Sequence, residues 1–265
     1  MELIQSTQNS RIKNIQKLFT KPKERKEQNL FVIEGAREIH LALAASYSLE
    51  SVFICPELFS KTGYPEILPE LPPSILFEVS PAVFQKIAYR EHSDGILALA
   101  KTKAHTLNDL NLSGNPFIIV LEAVEKPGNL GAILRTADAA NVDAVIVCDT
   151  LTDVYNPNII RSSVGCVFTV PLAVAKQQDT FSFLKENGIR IFAAELQASQ
   201  EYQNMDFTPA CALIMGTEAD GLTEFWIGHA DARIKIPMRG KIDSLNVSVS
   251  TAVLTFEAMR QRKFT

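Results

Sequence analysis

The chain has 265 residues, of which 46% are hydrophobic, and a formal net charge of −4, so it can form one large domain or two smaller ones with packed cores. It has no run of about 18 apolar residues, which argues against a membrane span, and its polar, then basic N-terminus lacks the apolar stretch of a secretory signal. The four cysteines are scattered without a CxxC and no HExxH occurs. We therefore expect reduced, buried thiols in a cytoplasmic protein, and neither disulfides nor a metal site.

A basic segment lies near the N-terminus. It carries seven basic residues against one acid, Glu24, and the basic residues are Arg11, Lys13, Lys17, Lys21, Lys23, Arg25 and Lys26. Such a segment can neutralise the phosphates of a nucleic acid even on an acidic protein. It can equally be the solvated face of a basic helix, and charge alone does not decide between the two.

The first hundred residues have the pattern of a small α/β unit. The predicted elements are, in chain order, a helix through Ile12, Ile15, Gln16 and Phe19, a strand at 30–33, a helix at 38–45, a strand at 51–55, a proline-rich loop at 65–73 and a strand at 95–100. A polar stretch follows and ends in the turn-rich sequence Ser-Gly-Asn-Pro. We therefore predict a domain over 1–104, a linker over 105–115 and a second domain over 116–265.

The second domain has the pattern of a parallel α/β sheet with helices on both faces. Strands are predicted at 117–121, 144–148, 189–194, 212–215 and 233–236, with intervening helices at 130–140 and 180–187. A last helix is predicted at 247–262, with one apolar face formed by Val249, Ala252, Val253, Phe256 and Met259. In such a sheet the ligand lies beyond the carboxyl ends of the strands.

Three segments that follow predicted strands are candidates for chemistry. The first, EAVEKPGNLGAILRTAD, places Asn129 where it can cap a helix and Arg135 away from that helix's apolar stripe. The second, IMGTEADGL, has Gly216, whose missing Cβ would let a ligand approach the backbone, and Glu218 at the strand exit. Each feature also has a purely structural explanation, namely a helix cap, a solvated arginine, or a glycine loop with a surface acid.

The third segment, IPMRGKIDSLNVS, leads into the last helix. Ser244, Asn246 and Ser248 offer hydroxyls and an amide to a ligand, or cap that helix. The dinucleotide fingerprint GxGxxG is absent from the whole chain. Its absence counts against a dehydrogenase, the first alternative class.

In this order and spacing, the three segments resemble the sequence motifs of the SpoU (TrmH) family of RNA ribose 2′-O-methyltransferases, within the SPOUT class. The stretches NSRIKNIQKL, FVIEGAREI and REHSDGILAL are similar to the RNA substrate-binding domain that many members carry. The resemblance implies a small N-terminal α/β RNA-binding domain and a C-terminal parallel sheet tied in a deep trefoil knot. It also implies S-adenosylmethionine as cofactor and a homodimer formed through the C-terminal domain.

The resemblance also assigns residues to roles. The catalytic positions fall on Asn129, Arg135, Glu218, Ser244 and Asn246. Cofactor contacts fall on Ala194, Glu195, Gly216, Ile236, Met238, Leu245 and Asn246. The RNA-binding candidates are Arg11, Lys13, Arg37, Lys126 and Arg161, with Ser163 beside the last of these. Many members have Asp where this chain has Lys126, a departure that removes none of the catalytic positions.

The implied function is transfer of a methyl group from S-adenosylmethionine to a ribose 2′-hydroxyl of structured RNA. Ribosomal RNA is the first choice of substrate and transfer RNA the alternative, and a non-catalytic RNA-binding protein of the same fold is a further alternative. Arg135 has been proposed as the base in this family, but a guanidinium is effectively always protonated. We therefore expect Arg135 to act mainly as a charge clamp on the phosphate beside the target ribose.

Overall fold

A computed structural model describes residues 2–59, 65–149, 153–198, 200–217 and 220–264. Its strands are β1 Glu2–Ile4, β2 Leu30–Glu34, β3 Leu49–Ile54, β4 Leu76–Val79, β5 Ile96–Lys101, β6 Phe117–Glu122, β7 Ala144–Cys148, β8 Leu172–Ala175, β9 Arg190–Ala194, β10 Gln200–Glu201, β11 Cys211–Met215 and β12 Ala232–Lys235. Its helices are α1 Ser10–Thr20, α2 Pro22–Gln28, α3 Ala36–Ala44, α4 Pro56–Phe59, α5 Pro81–Ile87, α6 Pro127–Ala139, α7 Pro157–Ser162, α8 Cys166–Thr169, α9 Gln177–Glu186, α10 Glu224–His229 and α11 Val247–Gln261. None of the helices in this described part of the chain has the length and hydrophobicity that a membrane crossing requires.

The described residues divide into two compact units. The first contains the chain up to Ala104 together with the later segment Asp153–Thr169, and the second contains the rest. The predicted domains 1–104 and 116–265, with their linker 105–115, stay a prediction. The compact units differ from them in the placement of that later segment, which carries α7 and α8.

The first unit is built on a mixed five-stranded sheet. The strand order among the described residues is β1-β4-β3-β5-β2, and β5 runs antiparallel to both of its neighbours. Helix α1 starts at the cap Asn9, whose side chain accepts a hydrogen bond from the Arg11 amide. Its buried residues Ile12, Ile15 and Leu18 pack on the sheet core, so the predicted amphipathic helix is confirmed, with Leu18 buried and Phe19 only partly buried.

The second unit is built on a parallel sheet, as predicted. Its described strands follow the order β10-β12-β9-β11-β6-β7-β8, and every pairing is parallel. The central strands β6, β7 and β11 are buried along their whole length, which explains their continuous apolar sequences. The chain steps from β6 to β7 in one direction, whereas β11 lies on the other side of β6. The strand order therefore reverses between β6 and β11, where a parallel sheet opens a crevice for ligands.

Several short elements were not predicted. Strands β1, β4, β8 and β10 have two to four residues each, too few to show an alternation in the sequence. Helix α5 was also missed, although Ser80 and Pro81 are a typical helix start and the Ser80 hydroxyl accepts from the Val83 amide. The deep trefoil knot that the resemblance implies stays a prediction.

The predicted apolar face of the last helix is not the face that packs inside its own unit. The buried residues of α11 are Val247, Thr251, Leu254, Thr255, Ala258 and Met259. Val249 and Phe256, which belong to the predicted apolar face, are 49% and 42% exposed. The helix packs against α6 through the threonine-bearing face. That face can be buried because the Thr251 hydroxyl donates to the backbone oxygen of Val247 at 2.7 Å.

Arg25 is not part of a solvated basic surface. Its side chain is 3% exposed, and its Nε lies 2.5 Å from a carboxylate oxygen of Asp153. Its Nη1 donates to the backbone oxygens of Leu18 and Phe19 at the end of α1. Arg25 therefore ties the segment that carries α7 to the first helices of the same unit, and it does not bind phosphate.

Replacing Arg25 by Met should lower the free energy of unfolding by about 2–4 kcal/mol, because Asp153 and two backbone oxygens lose their partner. Urea denaturation of the full chain measures this change. The control is Lys23→Met in the same helix, whose side chain is 83% exposed and whose change should be within about 0.5 kcal/mol. Equal stability of the two variants would contradict the structural role of Arg25.

Candidate active site

A cleft of about 430 Å³ lies at the carboxyl edge of the seven-stranded sheet. It opens where β9, β11 and β12 end, and its walls come from the loops that follow these strands. Six of the residues predicted to contact a cofactor line it, namely Ala194, Glu195, Gly216, Ile236, Met238 and Leu245. The predicted catalytic residue Ser244 lines the same cleft. The structure thus brings the second and third sequence motifs together around one cavity.

Glu195 supplies a partly buried side chain to this cleft, and its Oε1 atom is buried. Its backbone amide donates to the oxygen of Ile234 at 2.9 Å, which fixes the residue at the end of β9. Its Oε1 lies 3.1 Å from Nε of Arg233, within ion-pair distance, yet within the described part of the chain Oε1 has no hydrogen-bond partner. We therefore regard the contact as an ion pair without a directed hydrogen bond. A buried acceptor in this state is suited to a hydroxyl of a ligand.

Gly216 is required by the chain itself. A Cβ at this position would lie 2.5 Å from the amide nitrogen of Leu222 and closer still to the carbonyl group of Gly221. The two sides of this tight loop are joined by two backbone hydrogen bonds between Thr217 and Gly221, at 2.9 and 3.1 Å. We expected the missing side chain to admit a ligand. The structure shows that it admits the returning loop.

Glu122, at the end of β6, is a site residue that the sequence analysis missed. Its side chain is buried, and its carboxylate accepts hydrogen bonds from the amide and the hydroxyl of Thr223 at 2.9 and 2.7 Å. Thr223 is the residue before α10. Glu122 therefore anchors the far end of the loop that begins at Gly216. The signal available in the sequence was an acid at the end of a continuous apolar strand.

Asn246 joins the first and third motifs. It caps α11, because its Oδ1 accepts from the amide of Ser248 at 2.9 Å and from the Ser248 hydroxyl at 2.6 Å. Its Nδ2 donates to Oδ1 of Asn129 at 3.2 Å. The capping contact fixes which side of the Asn246 amide faces Asn129, and this in turn presents an oxygen of Asn129.

Asn129 does not cap α6, contrary to expectation. The helix begins at Pro127, with Lys126 at the cap position, so Asn129 lies in the first turn. Proline is favoured at the first helical position because its missing amide proton is not needed there. Asn129 is thereby placed to meet Asn246 rather than to close its own helix.

Arg135 lies on α6, about 9 Å further along the helix axis than Asn129 at 1.5 Å per residue. Its side chain is exposed, and among the described residues it has neither a hydrogen bond nor an ion pair. Glu218, its predicted partner, lies outside the described residues. The other predicted polar residue, Ser244, is exposed and donates from its hydroxyl to Asp243 at 3.0 Å.

A second cavity of about 300 Å³ adjoins the cleft and contains the loop of the first motif. Val124, Glu125 and Lys126 line it, and it shares Gly216 and Thr217 with the larger cleft. It lies at the ends of β6 and β11, where the strand order reverses. All three motifs therefore meet at the crevice that the sheet topology predicts.

The predicted RNA-binding residues divide between the two units. Four of them, Arg11, Lys13, Arg37 and Arg161, are exposed residues of the first unit, and Lys126 is an exposed residue of the second. The guanidinium of Arg11 lies over the Phe77 ring at 4.5 Å. Ser163 is fully buried and donates to the oxygen of Ile160 at 3.2 Å. The prediction that Ser163 contacts RNA is therefore wrong.

The fold and the cleft together define an α/β enzyme domain whose ligand lies against the carboxyl edge of a parallel sheet. The chain belongs to the SpoU rRNA Methylase family, whose model matches residues 116–256. The model of the MRM3-like substrate binding domain matches residues 9–98.

Curated relatives and solved structures agree with this assignment. The chain is 30% identical over 257 residues to the 23S rRNA (guanosine(2553)-2′-O)-methyltransferase RlmP of Bacillus subtilis, covering 97% of this chain and 98% of the relative. It superposes on the crystal structure of an RNA 2′-O ribose methyltransferase with a TM-score of 0.86 at 38% identity, covering 98% and 99% of the two chains. An AdoMet-bound rRNA methyltransferase from Sinorhizobium meliloti gives a TM-score of 0.88 at 28% identity, covering 98% and 97%.

Replacing Gly216 by Ala should destabilise the protein by about 1–3 kcal/mol, because the new methyl group overlaps the returning loop. The matched control is Gly228→Ala in α10, where a Cβ meets nothing within 4 Å and a helical alanine should be neutral or stabilising by up to about 1 kcal/mol. Urea denaturation of both variants tests the difference. If Gly216→Ala were as stable as the control, the close approach would not constrain this position.

Proposed function

We propose that this protein transfers a methyl group from S-adenosylmethionine to a ribose 2′-hydroxyl of ribosomal RNA. The observation that carries the proposal is the hydrogen bond between Asn129 and Asn246, which joins the first and third family motifs at the edge of a cleft lined by the second. The names of the relatives support ribosomal RNA over transfer RNA as substrate. We further propose that it acts in the cytoplasm on this RNA.

The cleft suits S-adenosylmethionine in size and chemistry. Its volume of about 430 Å³ falls in the range of small-molecule sites, which are mostly apolar with a few polar groups. Ile236, Leu245 and Leu222 offer apolar surface to the adenine, and the Glu195 carboxylate can accept from the ribose hydroxyls. When bound, the cofactor supplies a methyl group on a positively charged sulfur.

The residues of the chain would hold the target ribose in line with that methyl group. Alignment at about 3 Å is what such a displacement needs. Ser244, which lines the cleft, and Asn246, which is held by its capping contact, would orient the ribose or pass its proton on. The exposed guanidinium of Arg135 would bind the neighbouring phosphate and stabilise the negative charge that develops on the 2′-oxygen. Glu218 would orient that guanidinium.

The first unit would choose the RNA. Its exposed cations Arg11, Lys13, Arg37 and Arg161 are candidates for phosphate contacts, since folded RNA is bound largely through its backbone and shape. We propose the domain division 1–104, 105–115 and 116–265 for these two tasks, with Arg161 contributing to RNA binding from within the last of these ranges. Ribose methylation mapped in total RNA from cells with and without the gene would separate ribosomal from transfer RNA as the substrate.

Replacing Arg135 by Ala should lower kcat for methyl transfer by about 100-fold or more, as loss of a charge-stabilising donor does in other enzymes. Calorimetry should show nearly unchanged affinity for S-adenosylmethionine, because the guanidinium is assigned to the RNA. Arg190→Ala provides the control, as an exposed arginine of the same unit at the start of β9, the opposite end of that strand from the cleft. A collapse of cofactor affinity in Arg135→Ala would contradict the assigned role.

We also propose a homodimer formed through α11. Val249 and Phe256 lie seven residues apart on the same side of this helix and are about half exposed, with the half-buried Val253 between them. An apolar stripe of this kind on the surface is typical of an interface. The stripe also explains why the helix has two apolar sides, of which only one packs inside its own unit.

The double change Val249→Asp and Phe256→Asp should convert the protein from a dimer to a monomer, since two carboxylates would have to be buried in the contact. Size-exclusion chromatography with light scattering measures the mass of the species. Glu186→Ala, at an exposed residue of α9 in the same unit, should leave the dimer intact. A wild-type protein that is monomeric, or a double variant that remains dimeric, would refute the proposal.

A further inference from the structure

An exposed aromatic ring in the first unit packs against a second ring and lies near a guanidinium. Tyr89, in the loop between α5 and β5, is 45% exposed. Its ring stacks on that of Phe19, with the centroids 5.7 Å apart and the planes 15° apart. The guanidinium of Arg161 lies 5.9 Å from the centre of the Tyr89 ring. Phe19 itself packs against the core of the unit, so the Tyr89 ring rests on a fixed base.

We propose that Tyr89 and Arg161 form a platform on which an unpaired nucleobase of the RNA substrate stacks. The inference rests on the proposed function and adds to it a specific contact for substrate choice. Proteins recognise single-stranded RNA by stacking unpaired bases on aromatic rings and on arginine. A base in a duplex has both faces covered, so this platform selects a loop, a bulge or a strand end.

Two buried carboxylates hold the loop that carries the platform. Glu34, at the end of β2, accepts a hydrogen bond from the Tyr89 amide at 2.8 Å and a longer one from the Arg90 amide at 3.4 Å. Glu38, in α3, accepts from the Arg90 guanidinium at 2.6 Å. Both glutamates are almost fully buried. The orientation of Tyr89 is therefore set before any RNA arrives.

Stability alone does not account for this arrangement. Burying carboxylates costs desolvation free energy that an apolar core would not, and what these carboxylates hold in place is an exposed ring. A ring fixed in advance loses little conformational entropy when a ligand stacks on it. The buried glutamates are thus better explained by preorganisation of a binding surface than by packing.

The charged residues around Tyr89 favour an RNA contact through base stacking over one through electrostatic attraction of phosphates alone. Arg161 is exposed and Arg90 partly so, and each can reach a phosphate beside the stacked base. Exposed Glu91 follows directly in the chain, so the patch is not uniformly positive. We therefore expect the base, rather than the phosphates, to contribute most of the selectivity of this contact.

The test compares two labelled RNA probes on the full-length protein by fluorescence anisotropy. One is an oligoadenylate of about ten nucleotides, and the other is a ribose-phosphate strand of equal length without bases. Tyr89→Leu keeps an apolar side chain over Phe19 but removes the ring, and should weaken oligoadenylate binding roughly 5- to 100-fold. Its affinity for the base-free strand should not change. Tyr89→Phe keeps the ring and should stay within about twofold of wild type.

The control is Leu3→Ala, because Leu3 is an exposed apolar residue of the same unit, at 51%, and should bind both probes as wild type does. With 23S rRNA from cells lacking the gene, Tyr89→Leu should raise KM for RNA and leave kcat unchanged. Unchanged oligoadenylate affinity, or an equal loss for both probes, would overturn the inference. A wild-type protein that methylates no RNA would instead refute the proposed function, while the difference between the two probes would stand independently.

Discussion

The cleft depends on the close approach of two backbone segments beside Gly216. The chain leaving β11 turns back on itself at Gly216, where the returning backbone of Gly221 and Leu222 occupies the space of a side chain. The same loop ends at Thr223, which the buried carboxylate of Glu122 holds through two hydrogen bonds. The contact at Gly216 leaves no room for a side chain, and the hydrogen bonds from Thr223 satisfy the buried Glu122 carboxylate. The contact at Gly216 and the hydrogen bonds at Thr223 hold this wall of the cleft at two points. They thereby also set the positions of the lining residues between them.

The sheet that places this cleft was predictable, because long buried strands have a continuous apolar sequence that no exposed element shares. Strands of two to four residues such as β1 and β10 were not predictable, since they are too short for a periodic signal. They form only by pairing with neighbouring strands of the sheet. The last helix shows a different limit. Its sequence has apolar side chains on two sides, and the side that packs against α6 is the one with Thr251 and Thr255. Hydrophobicity alone does not show which of the two sides is buried, because it ignores the bond by which the Thr251 hydroxyl is satisfied within its own helix.

In the candidate site, the motif residues were predictable from the sequence but their contacts were not. Asn246 was predicted either to cap a helix or to contact a ligand, and the structure shows that the cap also orients Asn129. Glu122 was missed because its partner Thr223 is 101 residues away. Arg25 was assigned to a basic surface for the same reason, since a run of charges in the sequence does not show which one turns inward. Polar residues acquire their roles from partners distant in the chain, and a local pattern cannot supply these.

The ion pair between Arg25 and Asp153 spans 128 residues of chain, and this separation has a consequence for the order of synthesis. A ribosome adding about 5–20 residues per second needs roughly 6–25 seconds to make Asp153 after Arg25 has been made. During that interval the first unit lacks α7 and α8, and the guanidinium that later lies buried must stay hydrated. The first unit is therefore completed only after the first two strands of the second unit, β6 and β7, have been synthesised. The N-terminal part of the chain is made first, yet it reaches its final structure only after α7 and α8 have been synthesised.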